Sequence, residues 1–316
     1  MKKFLPALYI VFIAVVLGTA LFYAVPKIPA RSVEWENNSP TPLKSISEFF
    51  KNIFVSSSMT MLVLGVQGPE YGKSILTDSI IVVHFDPTKS KVFLISIPRD
   101  LWISDNKEQF KINEMLAKRK VDVAANKIEE ITGLSVDGYV VVDLAIVKDV
   151  VDYFGGIDIT LNQPAVDWVS GYTMGVGDHH LNGEDAVWII RNRFNPEGDF
   201  FREKNQHQIL ESLFEKFKAL SRSDKLAFIE RFAFKSGLLN NADIDVSKAT
   251  SYVFNTDLPK IKLESIVLDF NTKLVKTDYV PVNFGTTTKN ISILLPIEGF
   301  EKYSAIQNYI KDKITN

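Results

Sequence analysis

The sequence predicts an α/β protein, with a mixed sheet covered by helices in one domain of about 260 residues. Three apolar runs of strand length lie at residues 61–66, 79–85 and 91–97. The second and third runs are separated by a short segment that contains Pro87, which is typical of an antiparallel hairpin. Farther along, a strand, a helix and another strand follow one another and indicate a crossover connection with parallel pairing. A sheet with both kinds of pairing is therefore expected.

The N-terminal residues predict a membrane anchor at residues 1–26. Lys2 and Lys3 precede an uncharged run at 4–26, and about twenty apolar residues span a bilayer as a helix. Because the lysines come before the run, we expect the N-terminus inside the cell and the rest of the chain outside the cytoplasmic membrane. A cleaved signal peptide is the alternative. The length of the run and the absence of a clear cleavage site favour an uncleaved, single-pass anchor.

A linker and one folded domain are expected after the anchor. Residues 27–57 contain Pro29, Pro40 and Pro42 with several Asn and Ser residues, a composition typical of a linker, and one short helix is predicted near 46–54. The domain then covers residues 58–316.

Periodicity and turn residues predict the elements of this domain. The crossover consists of a strand at 138–142, a helix at 144–154 and a strand at 157–161, with Gly155 and Gly156 before the second strand. A further strand is predicted at 261–269. A glycine-rich loop is predicted at 171–177 and an irregular segment at 271–288. Further helices are predicted at 112–131, 183–190, 199–220, 221–239, 246–254 and 302–314.

The composition excludes several classes of protein and site. A net charge of −2 argues against a nucleic-acid-binding protein, which is usually basic. The absence of cysteine excludes disulfides, thiol nucleophiles and cysteine-ligated zinc. His179 and His180 are adjacent, and they fit a loop before a helix better than a metal site.

Arginines around a helix break form the strongest candidate site. Pro196 and Gly198 interrupt the helical pattern, so Arg191 and Arg193 are expected at the edge of a loop. Guanidinium groups offer paired donors that match phosphate oxygens, and the N-terminus of the next helix adds amide donors. The alternative is a solvated basic loop before an ordinary amphipathic helix, which spacing alone favours.

The helix that follows is expected to begin with polar groups and to become apolar. Asp199 is a suitable N-cap, and Arg202 and Gln206 are four residues apart and so share one face. The apolar faces after Leu144 and Ile209 fit either plain core packing, which the sequence favours, or the wall of a tunnel.

Several motifs in a fixed order resemble the LytR-CpsA-Psr family over about residue 59 to the C-terminus. They are Leu64-Gly65-Val66, Thr77-Asp78-Ser79, Ser96-Ile97-Pro98-Arg99-Asp100, Lys111-Ile112-Asn113, Val151-Asp152-Tyr153-Phe154-Gly155-Gly156-Ile157-Asp158, Leu181-Asn182-Gly183-Glu184-Asp185-Ala186 and the arginine stretch at 191–206. The resemblance implies a three-layer α/β/α fold with a mixed central sheet. It also implies an extracytoplasmic enzyme that transfers a glycopolymer from a polyprenyl-pyrophosphate carrier to a sugar hydroxyl of peptidoglycan.

The resemblance also implies roles for individual residues. Asp78, Arg99 and Asp100 are the expected catalytic residues, and Asp78 matches a magnesium-linked aspartate. The positions that match pyrophosphate-binding residues of the family are Arg99, Arg191, Arg193, Arg202 and Gln206. Asp100 is either a second metal ligand or the partner of an arginine, and we favour the pairing role.

Three positions depart from the pattern of the family. Gln67 replaces an aspartate, Leu76 replaces an arginine, and Asn205 stands where a basic residue is frequent. Since an amide is a poorer magnesium ligand than a carboxylate, Mg²⁺ is expected to bind weakly or to arrive with the pyrophosphate. Two hypotheses follow. The first is an active phosphotransferase, whose activity Gln67 and Leu76 can impair. The second is a non-catalytic polyprenyl-phosphate-binding carrier, regulator or scaffold. Transcriptional regulation by direct DNA contact is opposed by the anchor and the acidic charge balance.

Overall fold

The computed structural model describes residues 58–71, 75–229, 231–232, 242–244, 260–284 and 287–316. The predicted anchor, the linker and the helix at 246–254 lie outside these residues. Among the helices within these ranges, none has the length and hydropathy needed to cross a bilayer.

The described residues form both strands and helices. The strands are β1 Met59–Val66, β2 Ser79–Asp86, β3 Lys91–Ser96, β4 Trp102–Asp105, β5 Glu108–Lys111, β6 Gly138–Asp143, β7 Ile157–Leu161, β8 Ala165–Val166, β9 Thr173–Met174, β10 Gly177–Leu181, β11 Ala242–Ile244, β12 Lys262–Val267, β13 Val275–Phe284 and β14 Thr287–Pro296. The helices are α1 Met115–Lys118, α2 Val121–Thr132, α3 Leu144–Tyr153, α4 Gly183–Arg191, α5 Asp199–Ala219, α6 Arg222–Ile229 and α7 Ser304–Thr315.

A six-stranded mixed sheet forms the centre of the molecule, in the order β11-β6-β1-β2-β3-β12. β2 pairs antiparallel with β1 on one side and with β3 on the other, and its pairing with β3 is the predicted hairpin. β6 lies parallel to β1, and β12 lies parallel to β3. The central strand β2 is buried from Ile80 to Phe85, because helices cover both faces of the sheet. The predicted mixed α/β fold is confirmed.

The alternation of side chains along the strands creates two apolar cores. Met61 and Ile81 contribute to a core shared with α3, α4, α5 and α6, whereas Leu62 and Val82 contribute to a core shared with α1, α2 and α7. Successive residues of a strand point to opposite faces, so each strand serves both cores. The result is the three-layer α/β/α arrangement that the family resemblance implied.

The predicted crossover from β6 through α3 to β7 is wrong. β7 pairs with β10 in a separate two-stranded antiparallel sheet, and it has no place in the central one. Gly155 and Gly156 have φ values of 72° and 104°, a backbone conformation that turns the chain away after α3 and that other residues adopt at a cost. The parallel pairing that was expected is supplied by β6 and β12.

The C-terminal part differs most from the prediction. The segment 271–288, expected to be irregular, contains the whole of β13, which pairs with β14 over ten residues. Most of β14 before Ser292 is exposed, so the apolar alternation that marks a half-buried strand is absent there. Backbone hydrogen bonds hold the hairpin together. The loop-like segment 171–177 likewise contains β9.

Candidate functional site

A cavity of about 680 Å³ lies between the central sheet and the helices α3 and α5. Its floor includes Val63, Ile81 and Val140 from three neighbouring strands. Val150 of α3 and Leu213 of α5 belong both to the core and to the cavity wall. The sequence favoured plain core packing for the apolar faces of these helices. In the structure these faces also line a cavity.

Four arginines line this cavity although they are far apart in sequence. Arg99 follows the end of β3, Arg191 is the last residue of α4, Arg193 lies in the next loop, and Arg202 lies in the first turn of α5. Arg191 and Arg193 are exposed, whereas Arg202 is 3% exposed. The cavity thus joins an apolar interior to a cluster of guanidinium groups, and the binding of pyrophosphate by these groups stays a prediction.

Arg202 is the most deeply buried of the four. Its Nη1 lies 3.4 Å from Oδ1 of Asp199, and its Nε and Nη2 have no hydrogen-bond partner among the described residues. Burial lowers the pKa of Arg202 from its ordinary value, and the charge of Asp199 opposes this shift. Arginine remains charged in proteins even so, and unpaired donors of a buried charge are costly. An anion with several oxygens would satisfy both nitrogen atoms.

Asp199 connects two of the arginines. Nε of Arg99 donates to Oδ2 of Asp199 over 2.6 Å, and Nη1 of Arg99 donates to Oδ1 of Asp78 over 2.5 Å. Burial opposes ionisation of Asp199, but the charges of Arg202 and Arg99 outweigh it and lower the pKa of this carboxyl. Burial also opposes the charge of Arg99, while Asp199 raises its pKa above the ordinary value. The pairing keeps both guanidinium groups charged and oriented.

Asp199 is not the N-cap that the sequence suggested. It is the first residue of α5, and the N-cap position is taken by Gly198, whose φ of 58° favours glycine. The carboxylate of Asp199 faces Arg99 and Arg202 instead of the helix amides. Sequence reasoning missed this role, although the i, i+3 spacing between Asp199 and Arg202 is a signal that could have suggested it.

Gln206 lies one turn after Arg202 and also lines the cavity. Its Oε1 accepts a hydrogen bond of 2.8 Å from Oγ of Ser79, and its Nε2 donates to the carbonyl of Ile190 over 3.4 Å. These contacts tie α5 to the start of β2 and to the end of α4. Ser79 is a second residue whose part in the site the sequence analysis missed.

Asp100 lies away from the large cavity, which it does not line. Its Oδ1 pairs with Nζ of Lys111 at 2.7 Å, so the expected pairing with an arginine is wrong. The reason is that Arg99 and Asp100 lie in a turn, closed by a 3.0 Å hydrogen bond from the amide of Leu101 to the carbonyl of Pro98, and the carboxylate of Asp100 is within reach of Lys111. Lys111, at the end of β5, reaches it from the other side.

Asp78 is the residue that the family resemblance assigns to magnesium, and its surroundings are as follows. The described residues contain no group of three His, Cys, Asp or Glu side chains with metal-ligand geometry. Both oxygens of Asp78 are engaged, because Oδ1 accepts from Arg99 and Oδ2 accepts from Nε2 of Gln67 over 3.2 Å. Gln67 therefore donates to Asp78, whereas a carboxylate at that position would add a ligand. Leu76 also lines the cavity, while Asn205 is buried outside its lining.

The chain matches the model of the LytR_cpsA_psr family over residues 30–302. It is 29% identical to a protein of Bacillus cereus named polyisoprenyl-teichoic acid–peptidoglycan teichoic acid transferase TagU, over 76% of this chain and 80% of that protein. It is 32% identical to a protein of Bacillus subtilis with the corresponding name TagV, over 51% of this chain and 43% of that protein.

Solved structures show the same fold. The crystal structure of Bacillus subtilis TagV superposes with a TM-score of 0.57 at 24% identity, over 81% of this chain and 96% of that chain. The protein gbs0355 of Streptococcus agalactiae superposes with a TM-score of 0.60 at 23% identity, over 82% of this chain and 89% of that chain. The family model covers far more than half of the sequence, and the chain is therefore a member of the LytR-CpsA-Psr family.

Proposed function

We propose that this protein is an extracytoplasmic phosphotransferase that moves a glycopolymer from a polyprenyl-pyrophosphate carrier to a sugar hydroxyl of peptidoglycan. The observation that carries the proposal is Arg202, whose buried guanidinium has two unpartnered nitrogen atoms at the polar end of an apolar cavity. A polyprenyl pyrophosphate has the matching chemistry, an apolar chain joined to a multiply charged anion. The names of the relatives as teichoic acid transferases support the reaction class.

The chemistry requires that negative charge be stabilised as it develops. A sugar hydroxyl oxygen of the acceptor forms a bond to the phosphorus that carries the glycan, and the bridging oxygen leaves with its electron pair as polyprenyl phosphate. The hydroxyl proton passes to a carboxylate, for which Asp78 and Asp100 are the expected candidates. Arginines held by an ion pair, as Arg99 and Arg202 are by Asp199, stabilise the leaving phosphate more effectively than water does, because they need little reorientation during the reaction.

Magnesium is proposed to enter the site together with the pyrophosphate. Mg²⁺ usually takes one or two protein carboxylates and completes its shell with water and phosphate oxygens. Asp78 is the residue that would contact it, after releasing Gln67 or Arg99. When bound, such an ion would neutralise part of the charge of the phosphates.

The location of the protein is proposed from the sequence alone. An anchor at residues 1–26 and a linker at 27–57 would hold the domain outside the cytoplasmic membrane, where both the lipid carrier and peptidoglycan are accessible. Protease treatment of intact spheroplasts should digest the domain, and protection of the domain would contradict this topology.

The test uses the full-length protein in detergent micelles, with a polyprenyl-pyrophosphate-linked glycan and soluble peptidoglycan. We expect the wild type to release polyprenyl phosphate and to attach the glycan to peptidoglycan. Arg193→Ala should weaken donor binding about tenfold, since a charge-assisted contact contributes roughly 1.5–3 kcal/mol. Arg193 is exposed, so this change should leave folding intact.

Arg119→Ala is the matched control, because Arg119 pairs with Asp105 and Glu108 and does not line the cavity. Equal donor binding by Arg193→Ala and Arg119→Ala would overturn the assignment of the site. The second candidate function, a non-catalytic binding protein, is favoured by Gln67 and its hydrogen bond to Asp78. Donor binding without any transfer would establish that alternative.

A further inference from the structure

A second cavity of about 170 Å³ lies next to the first, and Arg99 lines both. We call it the side pocket and define it by Arg99, Asp100, Asp199, Phe270, Thr277 and Ser292. It is enclosed by the segment after β3, the first turn of α5 and the hairpin of β13 and β14. A backbone hydrogen bond of 2.9 Å from Leu294 to Asp100 fixes the hairpin in this position.

The charges of the side pocket differ from those of the large cavity. Its lining has one arginine against three carboxylates, those of Asp100, Glu197 and Asp199. The large cavity has four arginines against Asp78, Asp143 and Asp167. Arg99, the arginine of this lining, is already paired with Asp78 and Asp199, so the side pocket offers an anion less than the large cavity does. Its charged groups also make it a poor site for a prenyl chain. A neutral ligand with many hydroxyl groups fits the side pocket best, since ionised carboxylates only accept hydrogen bonds.

An aromatic pair forms the apolar part of the side pocket. The rings of Phe200 and Phe270 meet edge to face, with centroids 4.9 Å apart at 79°. Phe200 is buried and supports Phe270, which is 52% exposed. A sugar ring has apolar C–H faces and a polar rim, so an exposed aromatic face beside carboxylates and the hydroxyl groups of Thr277 and Ser292 matches both parts.

The position of Arg99 suggests a role for the side pocket. Because Arg99 lines both cavities, a phosphate held by Arg99 in the large cavity would lie next to the side pocket, and a ligand in the side pocket would be a neighbour of that phosphate. We infer that the side pocket binds a neutral sugar unit of the peptidoglycan acceptor and directs its hydroxyl toward the phosphorus near Arg99. This inference rests on the proposed function and adds to it the place and chemistry of the acceptor.

The test separates acceptor binding from donor binding in the full-length protein. Phe270→Ala removes the exposed aromatic face, and Phe300→Ala is the control, because Phe300 is also partly exposed but lines neither cavity. We expect Phe270→Ala to weaken binding of a soluble peptidoglycan glycan oligomer about three- to tenfold, as the loss of an aromatic contact implies. The KM for this acceptor should rise by the same factor, while the dissociation constant of the donor changes less than twofold. Phe300→Ala should change neither.

Each outcome decides the inference independently of the proposed function. If the oligomer binds wild type and Phe270→Ala equally, or if the acceptor KM is unchanged in Phe270→Ala, the side pocket is not the acceptor site even when transfer proceeds. If Phe270→Ala weakens oligomer binding but the wild type transfers nothing, the pocket stands as a glycan site and the proposed function fails. A loss of donor affinity equal to the loss of acceptor affinity would also overturn the inference.

Discussion

Arg99 donates from Nε to Oδ2 of Asp199 over 2.6 Å, across 100 positions of the sequence. The same carboxylate lies 3.4 Å from Arg202, so one negative charge serves two guanidinium groups. Since Arg202 is buried, the site depends on this charge for its stability before any ligand binds.

Asp199→Asn should therefore destabilise the protein and increase the stabilisation that inorganic pyrophosphate gives it. Breaking a buried ion pair costs about 3–5 kcal/mol, and the partial exposure of Asp199 reduces the expected loss to about 2 kcal/mol. Inorganic pyrophosphate should then raise the melting temperature of the variant more than that of the wild type, because the anion replaces the missing charge. Thermal unfolding of both proteins with increasing pyrophosphate measures this.

Asp100→Asn is the control for that experiment. Asp100 pairs with Lys111 outside the large cavity, so its loss should cost less than about 1 kcal/mol and leave the response to pyrophosphate unchanged. A larger pyrophosphate effect in Asp100→Asn than in Asp199→Asn would show that the pairing of Asp199 has been misread.

The sequence predicted which residues line the large cavity better than it predicted the contacts between those residues. Arg202 and Gln206 share a helix face by periodicity alone, and Pro98 ends a strand just before Arg99, so the place of each group on its own element follows from local rules. The pairing of Arg99 with Asp199 does not follow from local rules. It depends on the end of β3 meeting the start of α5, a tertiary contact that no local spacing encodes.

The sheet shows the same division between local and tertiary causes. The hairpin of β2 and β3 was predictable because its strands are buried and its turn contains Pro87. β13 was not, because much of the hairpin is exposed and its residues show no apolar alternation. The error matters, since this hairpin supplies Thr277 and Ser292 to the side pocket.

Filling the apolar part of the large cavity should separate binding of the chain from binding of the anion. Val147→Phe on α3 would place a larger side chain in the cavity lining. We expect the affinity for a long polyprenyl pyrophosphate to fall about tenfold, since a buried methylene group contributes roughly 0.8 kcal/mol and two groups would be displaced. The affinity for inorganic pyrophosphate should stay the same.

Val123→Phe on α2 is the matched control for this change. Val123 is also half-buried, but it packs against the core on the opposite face of the sheet. Calorimetric titration of both variants with the two ligands gives the comparison. An equal loss of lipid affinity in both would mean that the effect comes from general destabilisation, and the cavity would then not hold the chain.

Gln67→Asp should tighten the binding of Mg²⁺ in the absence of lipid. The carboxylate would face Asp78, which now accepts a hydrogen bond from Gln67 over 3.2 Å. Two adjacent carboxylates repel each other, and a divalent cation relieves this repulsion. We expect Mg²⁺ to bind the variant more tightly than the wild type in calorimetry without lipid, and Asp78→Asn in the variant background should abolish the gain. Tight binding by the wild type, unchanged by Asp78→Ala, would contradict this placement of the metal.

Glu203 gives the protein a pH dependence that lies outside the phosphate chemistry. Its side chain is 4% exposed, and Oε2 has no hydrogen-bond partner among the described residues. Burial raises the pKa of Glu203 to about 8, and the charge of Arg202 opposes the shift only in part. The carboxyl is thus protonated in the folded state between its ordinary value of 4.5 and about 8, whereas the unfolded chain loses the proton there.

The contribution of Glu203 to stability should therefore fall as pH rises through this window, because the folded state binds one proton more at this group than the unfolded state does. The expected slope from this group is about 1.4 kcal/mol per pH unit, lost above about pH 8 where both states are ionised. Glu203→Gln removes the titration, so the variant should gain stability over the wild type as the pH increases from 5 to 8. Glu211→Gln, an exposed position on the same helix, should follow the wild type. Denaturant unfolding at several pH values measures the three proteins, and parallel curves for Glu203→Gln and the wild type would show that Glu203 is already ionised in the folded state.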